Sequence, residues 1–236
     1  MEHVAGPIHR VPLGFVAAYL VAEQGAEPAV LVDTGIPGKA AVIVDAAREL
    51  APATARAPIG HVLVTHCHAD HVGSLAAVVA RTSARVHAHP LDAAVIRNGG
   101  PQPPAIPASR VLRLLGPLFG RVGRAELEPV AVDVEIQDGT TTPGGLRAIH
   151  TPGHTPGHLS FFWPDDGGVL VVGDAASRLF GRLGLAMVNS DPAAARRTFA
   201  RLAELEFETA CFGHGPVLRG RANAAFRNRV ERLAAH

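Results

Sequence analysis

The chain has 236 residues, of which 47% are hydrophobic, 5% aromatic and 18% charged, and its formal net charge is +1. That length suits one large α/β domain with a core built mainly from Ala, Val, Leu and Ile. The near-neutral charge speaks against nucleic acid as a partner, no apolar run is long enough to span a bilayer, and the low charge content leaves room for an oligomer interface such as a homodimer. The start, Met1-Glu2-His3-Val4-Ala5-Gly6-Pro7, has no basic segment leading into an apolar one. Two cysteines, Cys67 and Cys211, are too few for a disulfide framework. Both features lead to the expectation of a cytoplasmic protein with free thiols.

In chain order, residues 16–21 and 29–33 read as strands joined by a turn at 23–28. Residues 37–50 read as a helix, with Ala41, Val44, Ala47 and Leu50 at helical spacing. After a loop at 52–58, the strand 61–64 runs straight into Thr65-His66-Cys67-His68-Ala69-Asp70-His71. A helix at 74–81, a strand at 85–87 and a short helix at 91–97 follow. Residues 98–107 are rich in Gly and Pro and read as a loop. Residues 109–122 carry Val111, Leu112, Leu114, Leu115, Leu118 and Phe119 among arginines, the pattern of an amphipathic helix kinked at Gly116-Pro117. Strand patterns return at 130–136, 146–150, 158–163 and 169–173. A helix at 191–205 has Asp191 as its cap and Pro192 at its first position. A strand at 209–212 and a helix at 220–235 complete the chain. The whole reads as layered α and β in one domain over 1–236, with 98–128 as an insertion serving as lid or interface.

The chemistry concentrates at strand ends. His66, His68, Asp70 and His71 fall within six residues. Imidazole and carboxylate are good ligands for zinc and comparable transition ions. Alternate positions after a strand can point the same way, so His66 and His68 can grip one ion, and Asp70 and His71, one step further on, can reach a second. Thr151-Pro152-Gly153-His154-Thr155-Pro156-Gly157-His158 is a Pro- and Gly-shaped turn that presents His154 at its tip. Gly173-Asp174 ends the apolar run 169–172, and Gly213-His214-Gly215 ends the strand at 209–212. Gathered acids and imidazoles of this kind need partners, and metals supply them.

With these motifs the sequence resembles the metallo-β-lactamase superfamily, from Leu31-Val32-Asp33-Thr34-Gly35 to Gly213-His214-Gly215. The Thr65–His71 string matches that family's HxHxDH signature. The resemblance implies a four-layer αββα sandwich with the site at one edge of two sheets. It implies that His66, His68 and His154 bind a first metal, that Asp70, His71 and His214 bind a second, and that Asp174 bridges them together with a hydroxide. It also implies two divalent ions per chain, zinc first and iron or manganese as substitutes. Asp33 then supports the site from behind or simply caps a turn, and Thr65 holds the ligand loop. His158 is either a supporting residue or a packed strand histidine. His87, His89 and Cys67 are not expected to be ligands.

Such a centre implies hydrolysis of an ester, thioester, lactone, amide or phosphoester, with Asp70 orienting the nucleophile and relaying its proton. The substrate is a small molecule, with a hydrophobic tail if residues 109–122 cover the site. Asp174 argues against β-lactamase activity, since the true β-lactamases of this fold generally lack a bridging aspartate and are exported. Only 22 residues follow His214, which ranks the glutathione-binding glyoxalase II enzymes low. Nucleases of this superfamily usually have an added domain and basic surfaces. Acyl-homoserine-lactone lactonases use a tyrosine beyond the bridging aspartate, and the sole tyrosine here is Tyr19. Persulfide dioxygenases share the Thr65–His71 string and keep one iron, here on His66, His154 and Asp174. They are the alternative class, followed by a non-catalytic metal-binding module. His158 and the intact Gly213-His214-Gly215 favour the dinuclear hydrolase.

Overall fold

The computed structural model describes residues 1–22, 28–50, 57–104, 106–107 and 126–234. The helix expected at 109–122 lies outside the described residues, as does most of the expected turn at 23–28.

The chain opens with three antiparallel strands, β1 (Glu2–Ala5), β2 (Ile8–Pro12) and β3 (Ala17–Val21), then β4 (Ala29–Val32). Helix α1 (Ala40–Leu50) leads to β5 (Ile59–Leu63). Two helices, α2 (Ala69–Val72) and α3 (Leu75–Thr82), precede β6 (Arg85–Ala88), and α4 (Pro90–Asn98) follows it. Short strands β7 (Ile106–Pro107) and β8 (Val134–Glu135) come next. The second sheet begins with β9 (Arg147–His150), β10 (Leu159–Trp163) and β11 (Val169–Gly173). Then come a small hairpin of β12 (Ser177–Leu179) and β13 (Arg182–Gly184), the short β14 (Val188–Asn189), helix α5 (Pro192–Ala203), β15 (Thr209–Phe212), β16 (Leu218–Arg219) and helix α6 (Ala222–Ala234).

The first sheet has seven strands in the order β1-β2-β3-β4-β5-β6-β8, and the second has five in the order β16-β15-β11-β10-β9. Three separate apolar clusters define the layers. One packs Ile43, Val44, Leu75, Val78 and Ile96 of the helices against the outer face of the first sheet, through Leu20, Leu31 and Val62. A second fills the space between the sheets, with Tyr19, Val32 and Leu63 against Leu159, Phe161 and Val171. The third sets Phe199, Leu202 and Phe226 of α5 and α6 against Leu170, Val172 and Phe212. Three cores between four layers is the αββα sandwich. Strands β4 and β11 are buried along their whole length because each is covered on both faces. None of the described helices is long and apolar enough to cross a membrane.

Local chemistry explains the elements. In α1 the buried residues Ala40, Ile43, Val44, Ala47 and Leu50 follow the helical repeat. Helix α5 starts where expected: Asp191 accepts hydrogen bonds from the backbone N–H of Ala193 and Ala194, both at 2.9 Å, and Pro192 occupies the first turn. One expected strand is shorter than its pattern. Val130, Val132 and Ile136 are buried at alternate positions, as 130–136 predicted, but only Val134–Glu135 joins a ladder. The neighbouring β6 is four residues long, so Val130 N–H donates instead to the Ile96 carbonyl at the end of α4.

The topology brings several strand ends to one edge. Strands β4, β5 and β6 are parallel, and so are β11 and β15. Strand β9 is antiparallel to β10, which is antiparallel to β11, so β9 and β11 share a direction. Crevices at the carboxyl ends of parallel strands are where α/β folds bind ligands. The two sheets are laced together at this edge: Ala17 N–H donates to Gly213 O at 3.0 Å, Tyr19 Oη to Phe212 O at 2.8 Å, and Leu159 N–H to Thr65 O at 2.8 Å.

Candidate metal centre

Each residue singled out by the sequence comes off one of those strand ends. His66 and His68 lie in the loop after β5, and Asp70 and His71 follow in α2. His154 sits in the turn between β9 and β10, Asp174 directly after β11, and His214 directly after β15. Their ligand-type atoms gather into three overlapping groups, within each of which the atoms lie within 4.8 Å of one another: His66–His68–His154, His66–His71–Asp174 and Asp70–His71–His214. Asp174 occupies the middle. Its carboxylate is 3.3 Å from His214 Nε2, 3.5 Å from His71 Nε2 and 3.7 Å from His154 Nε2.

The orientation of three of the rings, His66, His71 and His154, is set from behind. Asp33 follows β4 with a left-handed backbone, φ 61°. Its carboxylate accepts hydrogen bonds from Thr65 N–H at 2.8 Å and Thr65 Oγ1 at 2.7 Å, and meets His71 Nδ1 at 2.7 Å. Thr65 Oγ1 is 3.0 Å from His66 Nδ1. His154 Nδ1 donates to Val188 O at 2.8 Å. In each case the second ring nitrogen is left facing the cluster. Outer partners of this kind fix ring orientation in metal sites.

The donor set itself tests whether a cation fits. His66 Nε2, His71 Nε2 and Asp174 Oδ1 are buried and have no hydrogen-bond partner among the described residues. An unsatisfied buried polar atom costs about 1–3 kcal/mol, so three side by side mark a place for an external partner. His68 Nδ1 and His154 Nε2 lie 2.8 Å apart and share one proton between them, a position that suits a cation in place of that proton. The residues therefore fit divalent metal.

Electrostatics divides the cluster. Burial, then the neighbouring imidazoles, pushes His66 well below the usual histidine range and takes His68 down to about 3. Burial opposes charge on His71 and His214 too, but Asp174 together with Asp33 or Asp70 outweighs it. Their values rise to about 9 and about 11. Burial likewise opposes ionisation of Asp70 and Asp174. For Asp70, His214 and His71 prevail and lower it to about 2, and for Asp174 the same two histidines hold the carboxyl well below its usual range.

His158 is fully buried, and its Nε2 accepts the Asp174 backbone N–H at 3.0 Å while Nδ1 meets Thr151 Oγ1 at 2.7 Å. It thus holds the segment that carries Asp174. His87 pairs with His61 at 2.9 Å, and His89 caps α4 and stacks on His150 at 4.3 Å, so neither joins the cluster. Cys67 is buried and belongs to none of the three groups. Tyr19 is committed to Phe212 O, between the sheets. Two neighbours of the site were not signalled by the sequence. Phe15, 63% exposed in the β2–β3 turn, stacks on His214 at 5.8 Å. Asp92 in α4 is buried between two of the ligand-bearing loops.

Comparison with known proteins agrees with this architecture. Residues 11–214 match the family model of the metallo-beta-lactamase superfamily. A "probable metallo-hydrolase" of Bacillus subtilis, YflN, is 31% identical over 87% of this chain and 81% of its own length. A hydroxyacylglutathione hydrolase of Methylococcus capsulatus is 28% identical over 92% of this chain and 72% of its own. Among solved structures, the metallo-beta-lactamase MIM-2 superposes with a TM-score of 0.71 at 24% identity, covering 98% of this chain and 88% of that one. The chain belongs to the metallo-beta-lactamase superfamily and is one of its metal-binding hydrolases.

Proposed function

We propose that His66, His68 and His154 hold one divalent ion, that Asp70, His71 and His214 hold a second, and that Asp174 is shared between them. On this reading the protein hydrolyses an ester, thioester, lactone or related bond in a small molecule. The observation that carries it is the set of orphaned, buried donor atoms on His66, His71 and Asp174 where the groups of candidate ligands overlap. Zinc is the expected metal, with iron and manganese compatible with the same donors.

When bound, two such ions supply an activated water at neutral pH and polarise the substrate oxygen. The chain's own groups have separate tasks. Asp174 faces His71, His154 and His214 and places a negative charge between the two proposed ion positions. Asp70 Oδ2, 3.1 Å from His214 Nε2, is placed to accept a proton and pass it to the leaving group. Thr65 and the Val188 carbonyl keep His66 and His154 from turning. Phe15 beside His214 offers an apolar surface to a substrate's hydrophobic tail. The relatives named hydroxyacylglutathione hydrolase put thioesters first among the bonds to try.

The test is a hydrolysis screen over aryl esters, thioesters, lactones and phosphodiesters, with zinc-, manganese- and iron-loaded protein. The reading expects at least one acyl class to be cleaved, the activity to vanish with a chelator and to return with metal. Oxidation of a persulfide with oxygen uptake, and no hydrolysis, would replace it with the mononuclear iron reading.

A further inference from the structure

Like Asp33, a second buried carboxylate beside the site is not among the candidate ligands. Asp92 lies in the first turn of α4 and is 1% exposed. Its Oδ2 accepts hydrogen bonds from Cys67 N–H at 3.0 Å and Thr155 Oγ1 at 2.7 Å, and its Oδ1 accepts one from Gly157 N–H at 2.8 Å. Cys67 stands between His66 and His68, and Thr155 directly follows His154. Each of the three donors therefore belongs to one of the two loops that bring His66, His68 and His154 together. None comes from Asp70, from His71 or from the His214 loop.

The packing around Asp92 is tight on the same loops. A Cβ on Gly157 would lie 2.5 Å from Asp92 Oδ1 and 2.7 Å from the Asp92 backbone nitrogen, so this turn closes onto Asp92 only with glycine there. On its other side the turn rests on α5, where a Cβ on Gly153 would lie 2.3 Å from the Ala195 backbone nitrogen. The His154 turn is seated between α4 and α5, and Asp92 is its polar link to the His66–His68 loop. The tolerance is small. Imidazole nitrogens bind zinc at about 2.0–2.1 Å, and His68 Nδ1 and His154 Nε2 face each other at 2.8 Å across the gap this link spans. Separation of the loops by about 1 Å would pull them away from a common ion.

We propose that Asp92 is a positioning residue: its carboxylate sets the spacing between the His66–His68 loop and the His154 loop, and so governs how tightly His66, His68 and His154 hold their ion. The inference rests on the reading of those three histidines as a metal site. Asp92 itself touches neither metal nor substrate. Its carboxylate matters because it offers lone pairs to all three donors at once. An amide has one acceptor oxygen and would turn an N–H₂ toward a donor.

The experiment loads the full chain with cobalt(II) and titrates it with a competing chelator, comparing wild type, Asp92→Asn, Thr155→Val and His154→Ala. Asp92→Asn is expected to weaken one ion by about 10–100-fold, the range typical of outer partners of metal ligands. That ion should be the one lost in His154→Ala, its d–d absorption should shift, and the other ion should keep its wild-type affinity. Thr155→Val, which removes one of the three bonds, should weaken the same ion by a smaller factor. Wild-type affinity for both ions in Asp92→Asn, or equal weakening of both, overturns the proposal. So does a drop in thermal midpoint with no change in either ion. If Asp92→Asn does not fold, Thr155→Val decides, and wild-type affinities there overturn the proposal. Failure of the underlying reading is visible in the wild type itself: a chain that takes up no cobalt overturns both.

Discussion

The two sheets contribute to the candidate centre in different ways. The seven-stranded sheet supplies His66, His68, Asp70 and His71 from a single strand end, the segment after β5. The five-stranded sheet supplies three residues from three strand ends: His154 after β9, Asp174 after β11 and His214 after β15. The first group is local, and its geometry follows from one tight loop braced by Asp33, just past the end of the neighbouring strand β4. The second is assembled across the sheet and depends on the pairing of β9, β10, β11 and β15. A local ligand set is disturbed by changing its brace. A distributed one is disturbed residue by residue, and most at the member shared by both sides.

Asp174→Ala should reduce hydrolysis by more than about 100-fold, beyond the range typical of outer partners, and loosen both ions. His158→Ala acts on the same segment only through the Asp174 backbone N–H, and should cost about 10-fold. Steady-state kinetics with metal analysis checks both, and equal losses would show that Asp174 is not shared between the ions.

Asparagine tolerates the left-handed backbone that Asp33 adopts, so Asp33→Asn isolates the carboxylate from the turn. It should cost about 10–100-fold in metal affinity or activity, mainly at the ion near His71, which Asp33 holds. Chelator titration would show this as a loss at one ion. An even loss at both would mean that the loop moves as a whole.

The lacing between sheets should matter least to catalysis. Tyr19→Phe removes one buried hydrogen bond, Tyr19 Oη to Phe212 O. It should cost about 1 kcal/mol of stability, plus the cost of leaving that carbonyl unpaired, with activity near wild type. Chemical denaturation measures the first and kinetics the second. A large loss of activity would mean that the spacing of the sheets sets the site more than the loops do.

The same contrast explains what could be read from the sequence. The His66–His71 segment was legible because its members are contiguous and follow an apolar strand. Helices α1 and α5 were legible from a 3.6-residue repeat and from the Asp191-Pro192 start. The β1–β2 hairpin was not, because its burial does not alternate: only Val4 in β1, and Ile8 and Val11 in β2, are buried. Helix α2 has four residues, too few to display a period, and β12 and β13 have three each. Asp92 left no trace because the groups it binds are 25, 63 and 65 residues away. A lone acid between Leu91 and Ala93 carries no pattern that spacing can reveal.

The two-ion centre is tested by the metal content of wild-type protein purified without chelators, by elemental analysis against protein concentration. Two divalent transition-metal ions per chain, chiefly zinc, are expected. A single tightly bound iron per chain, with no second ion taken up on dialysis against excess metal, would contradict a two-ion centre.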